Sequence, residues 1–141
     1  MTHGAKLSHL TTLLKMGLIH ATITLSNPKY DSLQSISTKA LVDTGALHLC
    51  IPEHIALQLN LTTLELREAT LADGKRYKIP YAGPVLVQFE TRSAFVGAMI
   101  LGDEVLLGAI PMEDLDVVIH PASQTLRINP DSPNMAMSQV K

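Results

Sequence analysis

An acid at a glycine corner is the feature of this sequence best suited to chemistry. The apolar run Ala40–Val42 leads directly into Asp43, Thr44 and Gly45, and Ala46 follows. A carboxylate presented at such a corner can serve as a general base, provided that it reaches the proton it removes. An Asx turn that ends a strand uses the same residue types and needs no catalytic role. From the triplet alone, both interpretations stay open.

The composition bounds the class of protein. The chain has 141 residues, a net charge of −2, 46% hydrophobic residues and 17% charged residues. This is enough apolar material for one domain with a real core, and it excludes a disordered, highly charged chain. Lys and Arg are scattered, so no basic stripe indicates nucleic-acid binding. The single cysteine forms no disulfide framework, which favours a reducing, cytoplasmic location.

Two further features concern the surface and the termini. Few charges and only 4% aromatic residues suggest a partly apolar surface, as in an obligate oligomer. The apolar stretch Leu10–Ile19 is interrupted by Lys15 and is shorter than the roughly 20 residues that a membrane span needs, so no membrane association is expected. We predict a loosely ordered leader at residues 1–15, one domain at 16–129, and a tail at 130–141 that is mobile or forms a dimer arm.

The hydrophobic pattern between leader and tail predicts a mostly β domain. Period-2 alternation and turn residues predict strands, and a proline in first position with an acid in the first turn predicts two short helices. The predicted strands are 19–25, 36–42, 64–71, 76–81, 85–90, 94–101, 117–119 and 125–128, and the helices are 52–60 and 111–115. Asp73-Gly74 is a strong hairpin signal, and Ala82–Pro84 is predicted to be a turn.

The order of these segments resembles the retropepsin-type aspartic proteases, the single-lobed family of retroviral proteases and their cellular and bacterial relatives. The resemblance covers residues 17–129. It is carried by Ala40–Pro52, Leu71–Gly74, Ala82–Pro84 and Leu106–Pro111, and small bacterial members are the most similar. It implies a closed β-barrel of one lobe with a flap hairpin and one or two short helices.

The resemblance also implies an activity. Aspartic proteolysis needs two carboxylates about 3 Å apart that share one proton, and this chain has one such motif. A two-fold symmetric homodimer with Asp43 from each copy would supply both, making the protein an aspartic endopeptidase that acts on peptides or proteins without a cofactor. A non-catalytic dimeric module that binds peptides in the same cleft is the alternative.

The resemblance gives roles to further residues. Thr44, Gly45 and Ala46 would support the active site, and Leu106, Leu107 and Gly108 would pack beneath it. The flap tip would comprise Ala72, Asp73, Gly74 and Lys75, although flaps of retroviral members carry several glycines and this tip has only Gly74. Retroviral members also place an acid after the motif's alanine and an arginine after the downstream glycine, where this chain has Leu47 and Ala109.

His48, Cys50 and His54 are the remaining candidates for chemistry. Their spacing matches no standard zinc pattern, so we predict no metal site, although a metal hydrolase built around His48 is a third hypothesis. Cys50 with His48 could form a thiolate pair. Because Cys50 lies between Leu49 and Ile51, the sequence favours a small buried hydrophobic residue instead.

Overall fold

A computed structural model describes residues 18–140, so the predicted leader lies outside the described residues. The strands are β1 (Ile19–Ser26), β2 (Ile36–Val42), β3 (Leu49–Ile51), β4 (Thr62–Thr70), β5 (Arg76–Phe89), β6 (Arg92–Ile100), β7 (Leu106–Leu107), β8 (Val117–His120) and β9 (Thr125–Ile128). The helices are α1 (Glu53–Gln58) and α2 (Ala109–Leu115). Within residues 18–140, no helix is long and apolar enough to span a membrane.

The main sheet closes into a barrel. Its strands follow the order β1-β2-β7-β3-β6-β5-β4, and β1 also pairs with β5, so six strands form a ring and β4 lies outside it. Strands β8 and β9 form a separate two-stranded sheet. The prediction of a mostly β domain built as a closed barrel with short helices is therefore confirmed.

The alternation in the sequence explains which faces of β1 and β2 are buried. Ile19, Ala21, Ile23 and Leu25 are buried on β1, while the residues between them are exposed or half-buried. Ile19 lies opposite Val42 in the antiparallel register of β1 and β2. Burying one alternating face makes this register specific, because a shift by one residue would turn every apolar side chain to water. The register therefore fixes the position of Val42 along the barrel, and Asp43 is the next residue.

The turn predicted at Ala82–Pro84 is wrong. The chain continues through it as one 14-residue strand, β5, which pairs with β4 along its first half and with β6 along its second. The register against β6 shifts between Ala82 and Val85, and the Gly83-Pro84 peptide bond is cis. A Cβ on Gly83 would lie 3.3 Å from the Cα of Gly97. Glycine and proline here accommodate a bulge between close strands, which sequence alone does not distinguish from a turn.

Strands β3 and β7 were not among the predicted strands, and α2 begins two residues before the predicted start. Pro111 is the third residue of α2, with Gly108 as its N-cap. Helix α1 is shorter than predicted, with Pro52 as its N-cap. Three-residue strands and helix ends carry too few residues for periodicity to define them.

We expect Asn27→Ala to destabilise the fold. Asn27 is 5% exposed, and its side-chain amide donates to the carbonyls of Leu59 at 2.9 Å and Asn60 at 3.2 Å, at the end of α1. Removing it leaves these carbonyls without their donor, which costs about 2 kcal/mol. Urea unfolding at fixed protein concentration measures this cost. Asn134→Ala, at an exposed position, is the matched control, and equal stability of the two variants would contradict the assignment.

Candidate active site

The acid at the end of β2 is held by a turn that its own side chain completes. The backbone N–H of Asp43 donates to the carbonyl of Leu107 at 3.0 Å. The N–H of Gly45 donates to Oδ1 of Asp43 at 2.9 Å, and the N–H of Ala46 donates to the Asp43 carbonyl at 3.2 Å. The segment is therefore an Asx turn, and this turn is also what orients the carboxylate. The two interpretations that the sequence left open are compatible.

This corner lies at the surface of the chain. Asp43 is half-buried, whereas Thr44 and Gly45 are exposed. Val42, directly before the corner, is buried and ends an apolar strand. The Asp43 side chain is thus partly accessible to water, to a ligand or to another chain.

The segment predicted to lie beneath the corner does contact it. Leu106 and Leu107 form β7, which pairs in parallel with Leu41 and Val42 of β2. The N–H of Ala109 then donates to the carbonyl of Ala46 at 2.9 Å. These bonds join the loop after β2 to the start of α2.

Gly108 is required by close approach of backbones at this crossing. A Cβ on Gly108 would lie 2.3 Å from the carbonyl oxygen of His48 and 2.7 Å from that of Ala46. No side chain fits at these distances, and the colliding atoms belong to the backbone. The glycine therefore lets α2 begin directly against the loop that carries Asp43.

Each of the two positions where the sequence departs from the retroviral pattern, Leu47 and Ala109, has a backbone hydrogen bond across the crossing of loop and helix. The N–H of Ile110 donates to the carbonyl of Leu47 at 2.8 Å, next to the Ala109–Ala46 bond. The Leu47 side chain is 59% exposed. The connection between loop and helix thus needs no ion pair, and Leu47 presents an apolar wall beside Asp43.

The predicted flap is a hairpin that extends beyond the barrel. No residue of β4 is buried, and β4 has β5 as its partner on one side. The tip contains Ala72, Asp73, Gly74 and Lys75, closed by a bond from the N–H of Gly74 to the carbonyl of Leu71 at 2.9 Å.

The tip is shaped by Asp73 and Gly74. Gly74 has φ of +80°, which favours glycine. The carboxylate of Asp73 accepts from the Tyr77 hydroxyl and from the N–H of Lys75. These bonds, that from Tyr77 first, lower the pKa of Asp73. The tip carries an ionised acid tied to its own strand.

A contact cluster links the hairpin to the loop after Asp43, and the sequence did not indicate it. The guanidinium carbon of Arg67 on β4 lies 3.8 Å from the ring centre of Tyr81 on β5. A guanidinium nitrogen of Arg67 lies 3.5 Å from Nε2 of His48. The Nε of Arg67 donates to the Glu65 carboxylate at 2.9 Å. The rings of His48 and Tyr81 meet edge to face at 5.5 Å.

The same cluster reaches the barrel wall and affects the charge of His48. A Cβ on Gly97 would lie 2.2 Å from the Tyr81 ring, so the absence of a side chain on β6 makes room for that ring. Burial, with the positive charge of Arg67 as a second cause, lowers the pKa of His48. His48 is therefore neutral near pH 7, and its side chain contacts Arg67 and Tyr81 of the hairpin.

The other sequence candidates do not come together as a metal or thiolate site. Burial first, and the nearby Asp43 second, raise the pKa of Cys50, so its thiol stays protonated. Its sulfur lies 4.0 Å from the backbone carbonyl of His48, and His54 is exposed on α1. Across residues 18–140, no three His, Cys, Asp or Glu residues are grouped to hold a metal ion.

The chain is similar to a known protein in structure rather than in sequence. No family model matches the sequence, and no curated protein matches it. Among solved structures, the chain is similar to the Simian Foamy Virus (mac) protease, with 16% sequence identity and a TM-score of 0.43. That similarity covers 64% of this chain and 90% of the viral one.

We expect Gly108→Ala to be far more damaging than Gly74→Ala. A methyl group at position 108 collides with two backbone carbonyls, whereas one at position 74 meets nothing within 4 Å. We expect a cost of about 3 kcal/mol for the first, from overpacking, and about 1 kcal/mol for the second, from its positive φ alone. Thermal unfolding compares the two. Equal melting temperatures would contradict the steric assignment.

Proposed function

We propose that the protein is an aspartic endopeptidase that acts as a homodimer, with one Asp43 carboxylate from each copy. The observation that carries the proposal is a half-buried carboxylate, held by its Asx turn at the end of β2, with an extended hairpin that contacts the loop after it through Arg67 and His48. Together with the order of sequence motifs, this geometry favours peptide hydrolysis over the other hypotheses.

The chemistry requires two carboxylates, because one group cannot be base and acid at once. In a close pair, the two groups share one proton, since both cannot stay ionised. The ionised Asp43 removes a proton from water as the water oxygen bonds to the scissile carbonyl carbon. The protonated Asp43 of the second copy donates its proton to the carbonyl oxygen. Collapse of the tetrahedral intermediate then breaks the C–N bond, and the nitrogen leaves with a proton from the pair.

The corner itself supports pairing between copies. Thr44, Gly45 and Leu47 are exposed and uncharged beside Asp43. An interface on a two-fold axis brings identical residues together, so an uncharged surface avoids like-charge contacts. Asp43 is then the charged residue that the two-fold axis brings close to the Asp43 of the second copy.

The hairpin supports binding of an extended peptide. Residues directly opposite each other in a hairpin lie on the same face. Arg67, which contacts His48, lies opposite Ile79, and Ala69 lies opposite Tyr77 on the same face of the hairpin. On this face Tyr77 is exposed, Ile79 is buried, and the Glu65–Arg67 ion pair is charged. A peptide held between this face and the floor would be shielded from water during hydrolysis.

Asp43→Asn should abolish peptide cleavage while leaving the dimer intact. An amide cannot accept the proton from water, so we expect the rate to fall at least about 10³-fold. Cleavage of a peptide library between mildly acidic and neutral pH, together with the sedimentation of both proteins, tests this. Asp103→Asn, an exposed acid outside the site, is the matched control. Tight peptide binding by the wild-type protein without any turnover would instead support the non-catalytic binding module.

Mixing subunits tests the shared site separately. With a ninefold excess of the Asp43→Asn protein, random pairing leaves about one wild-type chain in ten with a wild-type partner, so activity per wild-type chain should fall about tenfold. The same excess of the Asp103→Asn protein should not lower it, because those mixed dimers keep both Asp43 carboxylates. Activity that is unaffected by the Asp43→Asn protein would show that each chain works alone.

A further inference from the structure

A recess lies on the outer face of the barrel, beyond the loop that carries Asp43. It has a volume of about 810 Å³ and is bounded by β6, by α2 and by the chain near Met137. We call it the outer groove and define it by Phe95, Ile110, Glu113, Asp114 and Met137, with His48 and Tyr81 at one end. Of these residues, His48 alone was considered for chemistry from the sequence, and the proposed peptide hydrolysis does not use it.

The outer groove begins where the proposed catalytic loop ends. Ile110 in its wall donates its backbone N–H to the carbonyl of Leu47 at 2.8 Å, and His48 is the next residue along the loop. His48 also contacts Arg67 and Tyr81 at the base of the hairpin. A peptide that leaves the space between hairpin and floor at His48 would therefore enter the outer groove.

The groove exposes apolar side chains that the chain itself does not cover. Phe95 is 64% exposed, Met137 is 67% exposed and Ile110 is 38% exposed. Tyr81 adds an aromatic ring at the end nearest the hairpin. Apolar groups gathered in a recess, rather than scattered singly, are typical of binding surfaces.

The charge of the groove is negative. Glu113 and Asp114 are exposed on α2, and within residues 18–140 no cation forms an ion pair with either. His48 does not offset them near pH 7, because burial keeps it neutral. The charge of Arg67 is already paired with Glu65 at 2.9 Å. A ligand with basic side chains would supply the missing positive charge.

The tail side of the groove is anchored rather than loose. Asp116 accepts hydrogen bonds from the Asn129 side chain at 2.9 Å, from the Ser132 hydroxyl and from the N–H of Met137 at 2.9 Å. Arg92, 2% exposed, donates to the carbonyls of Ser132 and Leu115 and lies 3.5 Å from Asp116. A groove whose wall is already ordered loses less conformational entropy on binding.

We propose that the outer groove binds the part of a peptide substrate that lies beyond the cleavage site, and that it selects segments with both basic and apolar side chains. This inference rests on the proposed function, because the bound peptide is a substrate only if the protein cleaves peptides. The binding itself is independent of catalysis. Continuity with the catalytic loop favours a substrate segment over an unrelated partner, and the unpaired Glu113 and Asp114 favour a basic one.

The test uses the full chain with Asp43→Asn, so that no peptide is cut. The probes are fluorescein-labelled twelve-residue peptides with three lysines and three leucines, and matched peptides with glutamate in place of lysine. Fluorescence anisotropy should show tighter binding of the lysine peptide. Adding E113Q and D114N should weaken that binding about 3- to 10-fold, because two partly screened ion pairs are lost. Adding D31N and D103N, which change two exposed acids outside the groove, should alter it less than twofold.

Three outcomes would overturn the proposal. Equal affinity for the lysine and glutamate peptides would contradict the selection of basic segments. Equal affinity of the lysine peptide for the E113Q/D114N protein and for the D31N/D103N control would contradict it as well. Binding that is lost in F95S but kept in E113Q/D114N would indicate an apolar partner without basic residues.

Kinetics separate this proposal from the proposed function. With Asp43 restored, E113Q/D114N should raise KM for a twelve-residue lysine-containing substrate relative to KM for a six-residue one, with kcat unchanged. If the wild-type protein cleaves nothing, the proposed function fails, and the anisotropy experiment still decides the groove. If the wild-type protein cleaves and the groove variants bind as the control does, only the groove proposal fails.

Discussion

The parallel pairing of β2 with β7 is the constraint on which the site depends. It places Asp43 one residue beyond the last pair, Val42 with Leu107, and gives its N–H the Leu107 carbonyl as a partner. Because β7 is followed at once by Gly108, α2 starts against the same loop and bonds it twice through the backbone. Hydrogen bonds to β7 and to the start of α2 therefore hold the backbone on both sides of the carboxylate.

The rest of the structure is arranged around this crossing. Helix α2 contributes to two sites. Its first residues donate hydrogen bonds to the loop after Asp43, and its exposed acids line the outer groove. Asp116, directly after the helix, has φ of +55°. Its carboxylate accepts hydrogen bonds from Asn129 and from the N–H of Met137 in the tail. One short helix thus connects the corner, the groove and the tail, so a change in its packing would affect all three.

The sequence predicted the parts of the fold that depend on local pattern. Alternation gave β1 and β2 almost to the residue, and Asp73-Gly74 gave the hairpin tip, because one buried face and one positive-φ glycine leave direct traces in sequence. Ala82–Pro84 misled, since glycine and proline serve a bulge between paired strands as readily as a turn. The short strand β3 also escaped, because its identity comes from partners on β6 and β7 rather than from its own residues.

The same division holds for the site. By itself the sequence determined that Asp43 follows an apolar strand at a glycine corner, that the chain carries one such motif, and that a hairpin comes after it, because each is a matter of neighbouring residues. Only the tertiary structure decided that Gly108 crosses beneath Ala46 and His48, that Arg67 and Tyr81 reach His48, and that α2 faces Phe95 across a groove. These contacts join residues far apart in the chain, and strand register and close backbone approach determine them.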